Sequence, residues 1–344
     1  MHFQETEIKE TLKNWGSIVR KYQQPDVRKA AVQIVNSFLP FLGLWVLMYF
    51  SLDWHYGITL ALAAVNAFFL VRIFIIQHDC GHMSFFKSRK WNESVGFACS
   101  FFSTLPFKYW AHMHDIHHSH TGQYEMREIG DIKFLTTEEF KNRSPWQRFT
   151  YRVFRNPLVL FGIAPISYFT ILNRVPMHRR DFKKVGWQQI SNNLLILGVY
   201  ALLAYFLGWK QFLLVHIPVV FLFSVIAFWF FYVQHQHDDS YKSDRAHWDY
   251  LMASIVGSTY YKLPKVMMWL TGNIGLHHIH HLSCRIPNYC LQKCADENPV
   301  LNKYVTIINF RQSLKYMHNK LWDEQRQRMI TFKEFYRMER SGKV

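Results

Sequence analysis

The chain has 344 residues, 50% of them hydrophobic and 17% aromatic, and its 40 Lys and Arg against 24 Asp and Glu give a net charge of +16. This is too apolar for a disordered tail, and 5 scattered Cys do not make a disulfide scaffold. The unusual count is 19 His, so the question becomes where they stand.

Residues 1–30 are polar and mixed in charge. Met1–Glu10 contains no apolar run, so no signal peptide is expected. Residues 5–30 read as an amphipathic segment at a membrane surface. Residues 31–77 then form a first apolar hairpin: Ala31 to Leu52 and Gly57 to Gln77, joined by Asp53-Trp54-His55-Tyr56. Residues 190–233 form a second: Ile190 to Gly208 and Gln211 to Val233, joined by Trp209-Lys210. At about 1.5 Å per residue each stretch reaches roughly 28–34 Å, the thickness of a hydrocarbon core of about 30 Å. None contains an acid, and Arg72 lies near the end of its stretch, where it is expected to snorkel toward the headgroups.

Connectors this short return each pair to the side it entered. Of the 40 Lys and Arg, only Arg72 and Lys210 fall outside residues 1–30, 78–189 and 234–344. That bias places both termini and all three polar regions in the cytoplasm. It also accounts for the charge, so no nucleic-acid partner is expected. Within residues 78–189, Ser94 to Phe107 and Pro157 to Leu172 are short for spans and read as interfacial or re-entrant segments. The fold class expected is an all-α integral membrane protein, with four transmembrane helices in two hairpins and a cytoplasmic helical cap.

The histidines gather where the spans reach that cap. His78 and His82 stand four apart at the end of the second span, on one helix face. His114, His117 and His118 follow at offsets 0, 3 and 4, and His277, His280 and His281 repeat the spacing. His235 leaves the bilayer just past the fourth span, at the same membrane face as His78. Imidazole suits Fe, Zn, Cu and Ni, and nine imidazoles are too many for one zinc but suit a dinuclear centre. His112, His120 and His278 are offset from these faces, and His237 is the nearest competitor of His235. His2, His55, His178, His216, His247 and His318 read as background.

Asp79, Asp115, Asp131, Asp238 and Asp239 lie beside the clusters in sequence. A metal-bound His commonly passes its far N–H to a carboxylate, and Asp79, Asp115 and Asp238 are the candidates chosen for that role. No E-x-x-H pattern of a carboxylate-bridged bundle and no H-E-x-x-H zinc motif occurs. A His-rich membrane metal-binding or transport protein is the rival from another class, but it should carry its ligands at mid-membrane.

The runs HDCGH, HDIHH and GNIGLHHIHHLSCRIPNY, in that order, resemble the membrane fatty acid desaturases. RIFIIQHDCGHMSFF, FYVQH and YYKLPKVMMWLTGNIG resemble the bacterial acyl-lipid desaturases of Bacillus type, over roughly residues 25–335. The resemblance implies a non-haem centre of two Fe ions, held by His78, His82, His114, His117, His118, His277, His280 and His281, with His235 as the further ligand. It implies O₂ and two external electrons, a cis double bond in a saturated, phospholipid-bound acyl chain, and Δ5 chemistry as the nearest expectation. No His-Pro-Gly-Gly haem motif appears, so a separate donor such as ferredoxin or flavodoxin is expected. Removing hydrogen from an unactivated CH₂ is beyond any side-chain base, which agrees with a cofactor supplying the oxidant. An acyl hydroxylase or related oxygenase on the same scaffold is the nearest alternative. Phe107, Tyr109 and Trp110 read either as interfacial anchors or as tunnel residues. Residues 301–344 read either as a solvated basic tail or as a surface for anionic headgroups or an acidic donor protein.

Overall fold

The computed structural model describes residues 2–129, 131–175 and 181–342. His178 lies outside the described residues. Two short helices, α1 (His2–Thr11) and α2 (Trp15–Arg20), open the chain. They bury Ile8, Leu12, Val19 and Tyr22 in one apolar cluster with Leu251, Met252, Ile279 and Leu282 from the far end of the sequence. The N-terminal segment is thus packed onto the cap.

α3 (Val27–Ser51) starts at Asp26, whose carboxylate accepts from the backbone N–H of Arg28 and Lys29 at 2.8 and 3.2 Å. α4 (Tyr56–Gly81) returns antiparallel to it, and the Ser51 and Thr59 hydroxyls pair at 2.8 Å near the turn. Among the described residues four helices are long and apolar enough to cross a membrane: α3, α4, Phe182–Leu207 and Trp209–His235. Each extends past the expected apolar stretch, and α4 thereby carries His78 and Asp79 in its last turn.

Between the hairpins, α5 (Arg89–Ser103) packs along α4, and α6 (Phe107–His120) carries the second histidine cluster. β1 (Leu135–Thr136), α7 (Thr137–Lys141) and α8 (Pro145–Phe154) follow, and a π-helical turn at Val159–Ile163 leads into α9 (Ala164–Thr170). The path from α8 into the segment Val159–Arg174 bends by 52°, so this apolar stretch does not run as one straight span. α8 leaves Trp146 and Phe149 stacked and exposed, as an in-plane amphipathic helix does.

α10 (Trp187–Leu207) and α11 (Trp209–His235) form the second hairpin. A single residue joins them, Gly208 at φ +82°, a conformation that favours glycine. Two tyrosines tie the hairpins together near their turns: Tyr49 donates to the Leu207 carbonyl at 2.9 Å, and Tyr56 to that of Leu214 at 3.2 Å.

The remaining chain builds the cap from α12 (Tyr250–Ile255), β2 (Thr259–Tyr261), α13 (Lys265–Leu270), α14 (His277–Leu282), α15 (Asn288–Glu297), β3 (Thr306–Ile308), α16 (Phe310–Tyr316), β4 (Leu321–Asp323), β5 (Arg328–Ile330) and α17 (Phe332–Arg340). β1 runs parallel to β4, with Leu135 opposite Leu321, and β4 is antiparallel to β5. β2 and β3 pair in parallel, with Thr259 opposite Thr306. The fold is helical as expected, with these short strands added. Residues 301–342 are built into the cap, since Trp322, Phe335 and Met338 are buried.

Two arginines fasten cap to bundle. Arg72 does not snorkel: it is buried, lies 4.1 Å over the Trp269 ring, and donates to the Trp269 carbonyl and to Asn36. Arg155, fully buried at the end of α8, donates to the Lys133 carbonyl (3.1 Å), Tyr232 Oη (3.3 Å), Gln236 Oε1 (3.1 Å) and the Asn319 carbonyl (2.7 Å). Removing it would leave Gln236 Oε1 buried without a donor and take one donor from the Lys133 and Asn319 carbonyls, and an unmet buried group costs about 1–3 kcal/mol. Arg155→Ala is therefore expected to lower the thermal midpoint in detergent by several degrees, corresponding to at least about 2 kcal/mol. An unchanged midpoint would contradict this account of the cap.

Candidate metal centre

The nine box histidines come from four elements. His78 ends α4 and His82 follows it as the helix cap; His114, His117 and His118 stand on α6; His235 ends α11; His277, His280 and His281 stand on α14. The last of these helices is placed by a tight turn. Gly272 and Asn273 both have positive φ, and a Cβ at Gly272 would lie 2.6 Å from Ile75 Cγ2. The backbone before α14 thus rests directly on α4. Gln234 adds a second tie, donating to the Ile274 carbonyl at 2.8 Å.

These ties bring all nine imidazoles into two groups. His78, His82, His114, His118 and His280 form one, and His117, His235, His277 and His281 the other. Within each group one nitrogen per ring lies within 4.8 Å of all the others. In the second group His235 Nε2 is 3.2 Å from His117 Nε2 and 2.9 Å from His277 Nε2, and His281 Nε2 is 3.1 Å from His277 Nε2. In the first, His118 Nε2 is 3.1 Å from His114 Nε2 and 3.0 Å from His280 Nε2. The groups adjoin, with the His118 and His281 rings stacked at 4.2 Å.

Can these rings hold cations? Two ligand nitrogens bound about 2.1 Å from one ion lie about 3.0–3.4 Å apart. The observed spacings match. Both ring nitrogens of His82 are buried without a hydrogen-bond partner, which a bound ion would relieve at one of them. Burial also keeps the rings neutral, as ligation requires. It lowers the pKa of His114, His118, His277, His280 and His281 well below the usual imidazole value, and that of His117 to about 3, with neighbouring rings adding to the effect. His82 is the exception. Burial lowers it, but Cys284 and Asp115 on its outer side raise it more, to about 10. A cation on its inner side would expel that proton.

The carboxylates divide differently from the sequence expectation. Asp79 lies 3.0 Å from His78 Nδ1, and its other oxygen accepts from the Asn288 backbone N–H (2.6 Å) and Nδ2 (2.8 Å). One buried side chain thus orients a ring and fastens the start of α15. Asp115 is exposed and 3.5 Å from His82 Nδ1. Asp238 corrects the expectation: it accepts from Asn319 Nδ2 at 2.8 Å, and no described contact joins it to a box ring. Asp131 does approach one, at 3.9 Å from His117 Nδ1. Its sequence position gives no periodic signal for this. The four extra histidines turn elsewhere: His112 to Asp181, His120 to the Ile116 carbonyl, His237 to the Val256 carbonyl and His278 to Asn302.

An apolar cavity of about 470 Å³ opens on both groups, reaching His78, His114 and His277. Phe74, Phe169, Phe228 and Phe231 line it, with Tyr109 and Trp110; Asp131 and Lys133 line its polar part. Phe107 is not among its walls and instead packs against Gly96. Tyr109 and Trp110 were tunnel candidates in the sequence, but the phenylalanine walls were hidden, because a lining Phe and a lipid-facing Phe look alike.

Comparison with known proteins agrees with this site. A family model described as fatty acid desaturase matches residues 52–311. A fatty acid desaturase of Bacillus subtilis (strain 168) is 40% identical over 321 residues, covering 92% of this chain and 89% of that protein. An sn-1 oleoyl-lipid 12-desaturase of Synechocystis is 27% identical over 234 residues, 65% of this chain and 63% of that one. An sn-1 acyl-lipid omega-3 desaturase (ferredoxin) of Nostoc is 26% identical over 266 residues, 73% and 69%. With four membrane-length helices, two histidine groups and these relatives, the chain is a multi-pass membrane oxidoreductase that belongs to the fatty acid desaturase family.

Proposed function

We propose that the two groups hold two non-haem Fe ions: His78, His82, His114, His118 and His280 one ion, and His117, His235, His277 and His281 the other. The observation that carries this reading is the convergence of nine histidine rings, eight of them buried and His114 half-buried, beside one apolar cavity. When bound, the iron pair supplies the O₂-derived oxidant that an unactivated CH₂ requires, with two electrons from an external donor. The protein's own part is placement and exclusion of water. The cavity holds a saturated acyl chain between Phe74, Phe169, Phe228 and Phe231, and two of its adjacent carbons lie where His78, His114 and His277 meet the cavity. The product is a cis double bond. The acyl-lipid substrates named for the relatives support a lipid-bound chain, here a phospholipid, and a relative named for ferredoxin supports a small external donor protein, ferredoxin or flavodoxin.

Residues 31–77 and 190–233 are the hairpins that cross the cytoplasmic membrane. Residues 1–30, 78–189 and 234–344 face the cytoplasm, as their share of the Lys and Arg supports. Fusion of green fluorescent protein at either end is expected to fluoresce, and alkaline phosphatase at either end to stay inactive. The reverse pattern would invert the topology.

Expression in a bacterial host without acyl-lipid desaturation is expected to give mono-unsaturated phospholipid chains, with bond positions read by mass spectrometry. The Bacillus-type likeness makes Δ5 the first position to inspect. Hydroxy chains in place of unsaturated ones would favour the oxygenase alternative. His117→Ala and His280→Ala each remove a ring from one group, so each is expected to leave no detectable product while membrane levels stay normal. Full activity in either would remove that residue from the ligand set.

A further inference from the structure

Three box rings have their far nitrogen turned toward a carboxylate, and the third of these pairs has no assigned role. His78 faces Asp79 and His82 faces Asp115, both in the five-histidine group. His117 belongs to the four-histidine group, where the described residues supply one carboxylate, Asp131. His235 Nδ1 there meets the Gly257 carbonyl at 3.4 Å, and His277 Nδ1 has no partner.

Asp131 is buried in a pinned stretch of backbone. Its side chain is 7% exposed, yet its Oδ1 has no hydrogen-bond partner. The two residues after it are pinned through their carbonyls, Ile132 by Gln236 Nε2 and Lys133 by Arg155, both at 3.1 Å. A buried carboxylate is costly without a cation, and the charge of Lys242 acts on this one from beyond ion-pair contact, offsetting part of the cost of burial. Lys242 is itself buried, 4.6 Å over the Phe134 ring. Its ammonium donates to the His235 carbonyl at 3.2 Å and to Ser240 Oγ at 3.4 Å. The two charges thus flank one group, Asp131 beside the His117 ring and Lys242 on the backbone of His235.

We infer that Asp131, backed by Lys242, is the positioning carboxylate of the four-histidine group: it accepts the Nδ1 proton of His117 and so turns Nε2 toward the ion. The inference rests on the reading that this group holds a metal. The Thr121 hydroxyl lies 3.5 Å from this nitrogen but is committed to the His117 carbonyl at 2.7 Å, and the 3.9 Å to Asp131 closes to hydrogen-bond length with a swing of about 1 Å at Nδ1. Such a bond fixes the tautomer and raises the basicity of the ligating nitrogen.

The test uses full-length protein in nanodiscs, stripped of metal and titrated with Co(II), with the visible absorption of each site as readout. Wild type is expected to take two ions. Asp131→Asn should keep one site at wild-type affinity and weaken the other by about 10–100-fold, with a changed spectrum for that site alone. Asp131→Glu, which keeps the charge, should recover most of the loss. The double variant Asp131→Asn with Lys242→Met removes both charges and should stay as weak as Asp131→Asn. Unchanged second-site affinity in Asp131→Asn, or recovery in the double variant, would overturn the inference, the latter by tracing the effect to an unpaired lysine. Fewer than two ions in wild type would instead overturn the two-ion reading itself, and this inference with it.

Discussion

Nine imidazoles with their ligand nitrogens crowded against one another are an unfavourable arrangement without a cation between them. Neighbouring ring nitrogens stand about 3 Å apart in both groups. A proton could relieve one such contact, but burial and the crowding of like groups oppose protonation at most of these rings. A divalent ion in each group would relieve the contacts of that group at once. The rest of the protein is best understood as the frame that enforces this convergence.

That frame works by extending and pinning helices. α4 and α11 continue beyond their apolar lengths, so that His78 and His235 leave the bundle on a rigid helix end. α14 is too short to hold its own position, and the ties around it do so: the Gly272 turn against Ile75, Gln234 on the Ile274 carbonyl, and Asp79 on Asn288. Asp79 thus couples the orientation of a ligand ring to the placement of the next segment. The same convergence decides where chemistry can occur. The cavity is apolar along the spans and meets imidazole where the two groups come together, so an extended apolar occupant would have one stretch exposed to the histidine groups.

Much of this was legible in the sequence, for physical reasons. A span must be long and apolar, and a ligand helix must repeat its histidines at three and four residues, so hairpins and boxes both leave a local pattern. What depends on tertiary contact left none. Arg72 has the sequence position of a snorkelling residue, yet it docks on Trp269 of the cap. Asp238 lies three residues from His235 but turns to Asn319, whereas Asp131, 13 residues after the second box, approaches His117. The short strands of the cap and the folding of residues 301–342 into it follow from long-range pairing that two- or three-residue strands do not announce.

The central claim is that the histidine groups hold an iron pair in two unlike settings, five rings against four. The most direct measurement is the iron content and Mössbauer spectrum of the purified, reconstituted protein. The account predicts two irons per chain and two distinguishable iron environments of equal intensity. A single metal ion per chain, or zinc in place of iron, in protein that still desaturates acyl chains would contradict it.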